Sequence, residues 1–405
     1  MPDAPSHAQR FMRLTALLAE WRPLWRRLPF RHPVVPWQAD LPEMAEALLA
    51  LPEAELARLE AAPFADSPLA AWLPVAELAA LVELPRLAAG AAPPEAWGEH
   101  VGGRKWRQVQ AFLPRVRLAP GEAPLEWCAG KGHLARALAR WHATEVTALE
   151  WRPELCEAGH ALAGRQGARV RLRVQDVMAP DVGRWLGPDR HAAALHACGD
   201  LHRRLLEEAV AAGAAVTLAP CCYQRTTAEA YRPLSRLGGE LMAAHDLALD
   251  RDDLALAVRE TVTAPRGVRR HRERASVWRL GFDLLQREAR GVDAYLPVPS
   301  LAYGQMPETF EGFCRWAAER KGVTLPPVVR WADFEAAGWR RQSEVARLEL
   351  VRHLFRRPLE VWLVLDRLRF LEEAGYTVEL GTFCDRGLTP RNLLLRAVPG
   401  RAVPS

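Results

Sequence analysis

The stretch EWCAGKGHLARAL, Glu126–Leu138, changes character half-way along. Up to Cys128 it continues an apolar run that begins at Ala123. From Gly132 it takes up the three- and four-residue apolar spacing of a helix, with Leu134 and Leu138 on one face. A strand, a tight glycine turn and a helix are therefore expected. Gly130 and Gly132, lacking Cβ atoms, let the backbone bend sharply and come close to a ligand. The turn also holds Lys131, which is unusual in this chain. Only three lysines stand among its 54 Lys and Arg residues, and a second, Lys105, lies just ahead of the strand.

The same rhythm repeats outward. APLEWC, EVTALEW, RVRLRVQD, HAAALHAC and AAVTLAPCC read as strands. GHLARALARWH, PELCEAGHALAGR and LHRRLLEEAVAAGA between them read as amphipathic helices. Strands alternating with helices imply right-handed crossovers and a parallel sheet, an α/β, Rossmann-like fold that binds ligands at the carboxyl ends of its strands. Near the other end, RPLEVWLVLDRLRFLEEAGY predicts a long helix. TVELGTFCD and RNLLLRAV then predict two strands, close enough through RGLTP to form an antiparallel pair. Residues 1–100 read as short helices punctuated by proline, 101–222 as the cofactor-binding core, 223–340 as a mostly helical insertion that selects substrate, and 341–405 as the helix and strand pair completing the core sheet.

The 405 residues fit two or three domains. Hydrophobic residues make up 49% and charged residues 25%, ordinary globular values that exclude a disordered or fibrous chain. The net charge of +5 permits an acidic partner such as RNA without demanding one. The seven cysteines lack the regular pattern of a secreted scaffold and read as reduced thiols of a cytoplasmic protein. No leader pattern opens the sequence, and no apolar run is long enough to cross a membrane.

Two cofactor classes use such a glycine turn. A dinucleotide fits GKGHLA as G-x-G-x-x-A, with Glu150 twenty residues after Gly130. S-adenosylmethionine (SAM) also needs a carboxylate at the end of the first strand, to meet its cationic methionine portion. Glu126 supplies one, where it would repel a pyrophosphate. Glu150 at the second strand end suits the ribose hydroxyls, Asp176 at the third suits the adenine amine, and His196 at the fourth stands above the methionine portion. Cys128, Leu134, Trp151 and Val177 complete the expected cofactor contacts.

EWCAGKGHLARAL, LHACGDL, APCCYQ and the late LEVWLVLDRLRFLEEAGY and FCDRGLTPRNLLLRA resemble a family of SAM-dependent methyltransferases. That family includes the tRNA 2′-O-methyltransferase group and methyltransferase-like proteins once labelled "ribosomal RNA adenine dimethylase domain-containing". GGRKWRQV is similar to the basic segment that precedes the first strand in those proteins. The resemblance covers about residues 100–225 and, more loosely, 295–400. It implies the class I fold, SAM as cofactor, and tRNA or rRNA as acceptor. Cys128 departs from the glycine that often opens such turns.

Within that frame Lys131 is expected to hold the SAM carboxylate or a substrate phosphate, or else to be a solvated helix-start lysine. His196 and Asp200 are the candidates to remove a proton, and His196 has the better ordinary pKa for it. It serves equally well as a cofactor contact alone. Tyr223 follows the fifth strand and either stacks on a base or is an aromatic at the edge of the core. The cysteine and histidine residues at the sheet edge lack zinc spacing, and neighbours on a strand point to opposite faces, so no metal is expected. Arg266, Arg269, Arg270, Arg272 and Arg274 form a basic run that either is an ordinary solvated face or tracks RNA phosphates. A catalytically inactive SAM-fold scaffold, and less readily a nicotinamide-dependent oxidoreductase, are the competing readings.

Overall fold

In the computed structural model the described residues are 5–88, 90–259, 266–302 and 304–400. Their strands form one seven-stranded sheet in the order β3-β2-β1-β4-β5-β7-β6. The strands are β1 Ala123–Trp127, β2 Val146–Glu150, β3 Val170–Val174, β4 Arg190–Cys198, β5 Ala215–Cys221, β6 Tyr376–Thr382 and β7 Leu393–Pro399. β1 to β5 are parallel. β7 runs antiparallel to both β5 and β6. This is the Rossmann-like sheet expected from the sequence, with its antiparallel strand near one edge. The strand order reverses at β1, which pairs with β2 on one side and β4 on the other. That is the switch point where such sheets bind ligands.

Period-2 alternation places the core on both faces of the sheet. Leu125, Trp127 and Leu149 pack with Leu205, Leu206 and Leu371 on one face. The opposite face carries Ala148 and Leu172 against Trp106, Phe112, Leu134 and Leu138. Glu126, between Leu125 and Trp127, necessarily points towards the second face. That face is covered by the helices Gly103–Phe112, His133–Trp141 and Pro153–Arg165. Asp200–Ala212 and the end of Trp331–Glu373 cover the first. Gly159 lets the helix Pro153–Arg165 press against the glycine turn: a Cβ there would lie 2.6 Å from Leu172 and 3.2 Å from the Lys131 carbonyl.

The late helix begins well before the stretch that predicted it. Trp331–Glu373 runs unbroken through Pro358. An internal proline removes a backbone bond and costs about 3 kcal/mol in isolation, but Phe355, Leu359, Val361 and Trp362 around it are fully buried. Packing of that length outweighs one lost bond.

The chain divides into two compact units. One comprises residues 1–19, 80–263 and 356–405 and holds the whole sheet. Within it the first helix is tied down by a hydrogen bond from the Trp362 indole to Thr15 Oγ1, at 2.8 Å. The segment at Arg86 bridges to Thr382 beside β6. The other unit comprises 20–79 and 264–355. Its core sets Val277, Trp278 and Phe282 of the helix Arg266–Arg290 against Phe310, Phe313 and Cys314 of the helix Phe310–Lys321. Among the described residues no helix is long and apolar enough to cross a membrane.

Candidate functional site at the carboxyl edge of the sheet

The turn between β1 and its helix is built on alternating backbone signs. Cys128, Gly130 and Gly132 have φ of 60°, 58° and 64°. For Cys128 that left-handed conformation is a local strain; for the glycines it is free. The space beside Gly130 is open, with nothing within 4 Å of where a Cβ would be. Glu126 is buried and its Oε2 accepts a hydrogen bond from the Ala135 amide at 2.8 Å. The strand-end acid thus caps the third amide of the following helix from within the core. The amides of His133 and Leu134, in the same first turn, have no partner among the described residues.

Burial pushes the Glu126 carboxyl up to about 8, against the opposing pull of the Ala135 amide and the cations Lys105 and Arg136. It is therefore largely protonated at neutral pH. Lys131 is exposed, and its own carbonyl accepts from Arg136 Nη1 at 3.1 Å. Lys105, on the helix Gly103–Phe112, acts electrostatically on Glu126, His133 and His196 together, which places a second lysine over the site. Burial and these cations lower His133 to about 4. Arg136 Nη2 donates to its Nδ1 at 2.9 Å.

At the end of β2, Glu150 is locked to the glycine turn. Its Oε2 accepts from the Gly130 amide at 2.9 Å and its Oε1 from the Arg152 amide at 3.2 Å. A carboxylate has about four acceptor positions; the Arg152 Nε takes a third, at 3.4 Å from Oε1, and Oε2 keeps capacity for a further donor. Trp151 beside it is 66% exposed, an uncovered indole at the rim. Asp176 lies two residues beyond the end of β3 rather than within it. It is exposed, and its Oδ1 accepts from the Met178 amide at 2.9 Å. Val177 is buried, and so is Leu134 on the opposite side of the turn.

At the ends of β4 and β5 the structure bears on three expectations. His196 sits in a register shift between Leu195 and Ala197, with φ of 64°. Its Nε2 donates to Gln108 Oε1 at 3.1 Å, while the Gln108 amide donates to the Leu388 carbonyl. The imidazole is thereby held with the proton on Nε2 and the lone pair on Nδ1. Burial, with Arg391 and Lys105, lowers it to about 4. The imidazole is neutral at pH 7 but a weaker base than the ordinary value suggested.

Asp200 Oδ2 is occupied by the Thr227 amide at 2.8 Å and hydroxyl at 3.1 Å. Through this oxygen it clamps the loop after β5, a structural role that the sequence did not suggest. Tyr223 is 2% exposed. The Arg367 guanidinium lies 5.1 Å above its ring, and His202 meets it edge-on at 5.6 Å. Its stacking face is spent inside the protein, so of the two readings the core aromatic holds and the base-stacking role does not. Arg367 itself belongs to a buried network: it donates to His202 Nε2 and to the Tyr231 hydroxyl, which donates in turn to Asp366.

Gln108 is the site residue that sequence reading missed. Only its place three residues after Lys105 on the basic helix, about one turn along the same face, pointed to it. Cys128 is pushed up to about 12 by burial and the neighbouring carboxylates, an inert thiol. Cys198, Cys221 and Cys222 lie together at the ends of β4 and β5.

Residues 104–229 match the family model of a methyltransferase domain. The match spans the helix with Lys105, β1 to β5 and the loop that carries Tyr223. Among solved structures, the chain is similar to coclaurine N-methyltransferase bound to N-methylheliamine and SAH. That likeness has 14% identity and a TM-score of 0.26, covering 45% of this chain and 62% of that one, less than two thirds of its length. It is also similar to geranyl diphosphate C-methyltransferase from Streptomyces coelicolor A3(2), in complex with Mg2+, geranyl diphosphate and S-adenosyl-L-homocysteine. There the identity is 15% and the TM-score 0.25, covering 43% of this chain and 71% of that one. No curated protein matches the chain.

Proposed function

We propose that the chain is a class I SAM-dependent methyltransferase acting on RNA, with tRNA or rRNA as acceptor. The observation that carries the cofactor choice is the bond from Ala135 N to Glu126 Oε2. A dinucleotide needs the first-turn amides for its pyrophosphate; here one of them already faces a carboxyl group. A sulfonium with an ammonium and a carboxylate fits that mixture better: the cations meet Glu126, and the carboxylate meets the open amides of His133 and Leu134. Glu150 then accepts from the ribose, and Asp176 and Val177 border the adenine. SAM, when bound, supplies the electrophilic methyl group. The chain aligns the acceptor for in-line attack, with neutral His196 fixed by Gln108 beside it.

Arg269, Arg270, Arg272 and Arg274 are exposed along the helix Arg266–Arg290, and Arg274 lies 5.1 Å from the Trp278 ring. They support contact with a polyanion; the Arg266 side chain is outside the described residues. The test is isothermal titration with SAM, S-adenosylhomocysteine and NAD, followed by a labelled-methyl screen against total RNA and total protein. Binding of both adenosyl ligands, none of NAD, and label in RNA are expected. NAD binding alone would overturn the cofactor choice. Absence of any adenosyl binding would favour a scaffold, and label in protein alone would remove RNA as acceptor.

Two substitutions examine the turn. Lys131→Met is expected to weaken S-adenosylhomocysteine about tenfold, the value of one charge-assisted contact, at unchanged melting temperature. 5′-Methylthioadenosine, which lacks the amino-acid carboxylate, should bind both proteins alike. Equal loss for both ligands would place Lys131 elsewhere.

Glu126 sets a pH signature. Its folded-state pKa is raised, so the folded protein holds a proton that the unfolded chain releases above about 4.5. Stability attributable to this group is full below that value and declines as pH rises to about 8. A cationic ligand reverses the preference and expels the proton. SAM binding at pH 7 is therefore expected to release up to about one proton, read from titration heats in buffers of different ionisation enthalpy. Glu126→Gln should abolish the release and flatten the decline in melting temperature of the ligand-free protein between pH 5 and 8.

A further inference from the structure

Three cysteines that methyl transfer does not use converge at the sheet edge. Cys198 closes β4, Cys221 closes β5, and Cys222 follows it. Cys198 and Cys221 are register partners across the two parallel strands, so their side chains leave the sheet on the same face. Their sulfurs are 3.4 Å apart. Were β5 to continue, Cys222 would point to the other face, which is why the sequence spoke against a metal. It does not continue. Cys222 has φ of 46°, a left-handed conformation that costs a non-glycine residue about 1–3 kcal/mol. The consequence is that all three sulfurs lie within 4.8 Å of one another. β4 carries its own distortion one turn of the chain away, the register shift at His196. Two separate backbone irregularities therefore assemble one cluster of soft donors.

We propose that Cys198, Cys221 and Cys222 bind a single thiophilic metal ion of the zinc class as a three-thiolate site. Zinc–sulfur bonds of about 2.3 Å at tetrahedral angles separate sulfurs by about 3.8 Å, between the 3.4 Å contact and the 4.8 Å limit of the cluster. Soft thiolates select zinc and copper(I) over magnesium or calcium. The protonated thiols now donate to the His196 carbonyl, at 3.6 Å from Cys198 and 3.2 Å from Cys221, and those protons leave as the ion enters. Among the described residues no fourth side-chain donor joins the group. Three protein ligands leave one position for water or an exogenous ligand, as in metal sites that act on substrate rather than hold the fold. Cys198 and Cys222 are half-buried and Cys221 is buried, so the cluster keeps partial contact with solvent. The proposal stands independently of the methyl-transfer reading.

The experiment is metal analysis of the full chain purified under reducing conditions without chelator. It is followed by titration of the metal-free protein with Co2+ and then Zn2+. One equivalent of zinc per chain is expected. Co2+ should give sulfur-to-cobalt charge-transfer absorption with tetrahedral d–d bands, both displaced by zinc. Cys198→Ser and Cys222→Ser, shown folded by circular dichroism, should bind zinc at least tenfold more weakly. Cys156→Ser and Cys384→Ser, at single buried thiols elsewhere, should bind as the parent does. In the unsubstituted protein, zinc should protect these three cysteines from alkylation, mapped by mass spectrometry, which needs no variant to fold. Failure of the reduced protein to take up stoichiometric zinc or Co2+, bands undiminished in Cys222→Ser, or protection mapping to other cysteines would overturn the site.

Discussion

Replacing Glu150 by alanine is expected to weaken S-adenosylhomocysteine binding by about 10²- to 10⁴-fold. Glu150 is buried at the end of β2, and its two oxygens already order the site: one holds the Gly130 amide, the other the Arg152 amide. On the proposed reading the same carboxylate accepts from two vicinal hydroxyls, one at Oε2 and one at Oε1 in place of the half-exposed Arg152 side chain. Each hydrogen bond to a charged group contributes about 1.5–3 kcal/mol, and 1.4 kcal/mol is a factor of ten. Two lost bonds give the stated range before any loosening of the turn is counted. Glu150→Gln keeps one acceptor oxygen and should fall between, at about tenfold. The readout is titration calorimetry on both variants. Alanine with parental affinity would remove Glu150 from the ribose. The experiment does not by itself separate SAM from a dinucleotide, because both would use an acid here; the proton released through Glu126 does that.

The parts of the site that were legible in the sequence are those set by period and by chain punctuation. Five apolar runs, each closed by an acid, a histidine or a cysteine, sufficed to order β1 to β5 and to bring Glu126, Glu150 and the glycine turn to one edge. What the sequence did not show depends on contacts between distant segments. The ordinary pKa of histidine favoured His196 as a base; burial and the partners Gln108 and Lys105 of one helix and Arg391 of the late segment decide otherwise. Tyr223 in APCCYQ read either as a stacking face or as an aromatic at the edge of the core. Arg367, from the late helix, covers it. Cys222 escapes the two-residue period because β5 ends at Cys221 and the next residue turns left-handed.

Gly199→Ala is expected to destabilise the sheet-bearing unit by roughly 4 kcal/mol or more. Gly199 joins β4 to the helix Asp200–Ala212 with φ of 51° and ψ of −122°, a region that L-residues avoid. A Cβ there would stand 1.8 Å from the Arg225 carbonyl oxygen and 2.5 Å from its carbon. These are backbone atoms, so no rotamer change relieves the clash. Nor can the loop retreat cheaply. Gly199 N donates to the Cys221 carbonyl at 3.1 Å and Asp200 N to the same Arg225 carbonyl at 3.0 Å, while Thr227 is clamped by Asp200 Oδ2. Strain and overlap act together, which puts the substitution in the rare class above 4 kcal/mol. The thermal transition should fall by about 10 °C. Gly164→Ala provides the contrast. It lies in the helix Pro153–Arg165 with nothing within 4 Å of the added carbon, and should be neutral or stabilise by up to about 1 kcal/mol. Because Gly199 follows Cys198 and faces the turn after Cys222, a parental melting temperature in Gly199→Ala would mean that the two loops are not seated against each other. The joint placement of His196, Asp200 and the three thiols would then fail with it.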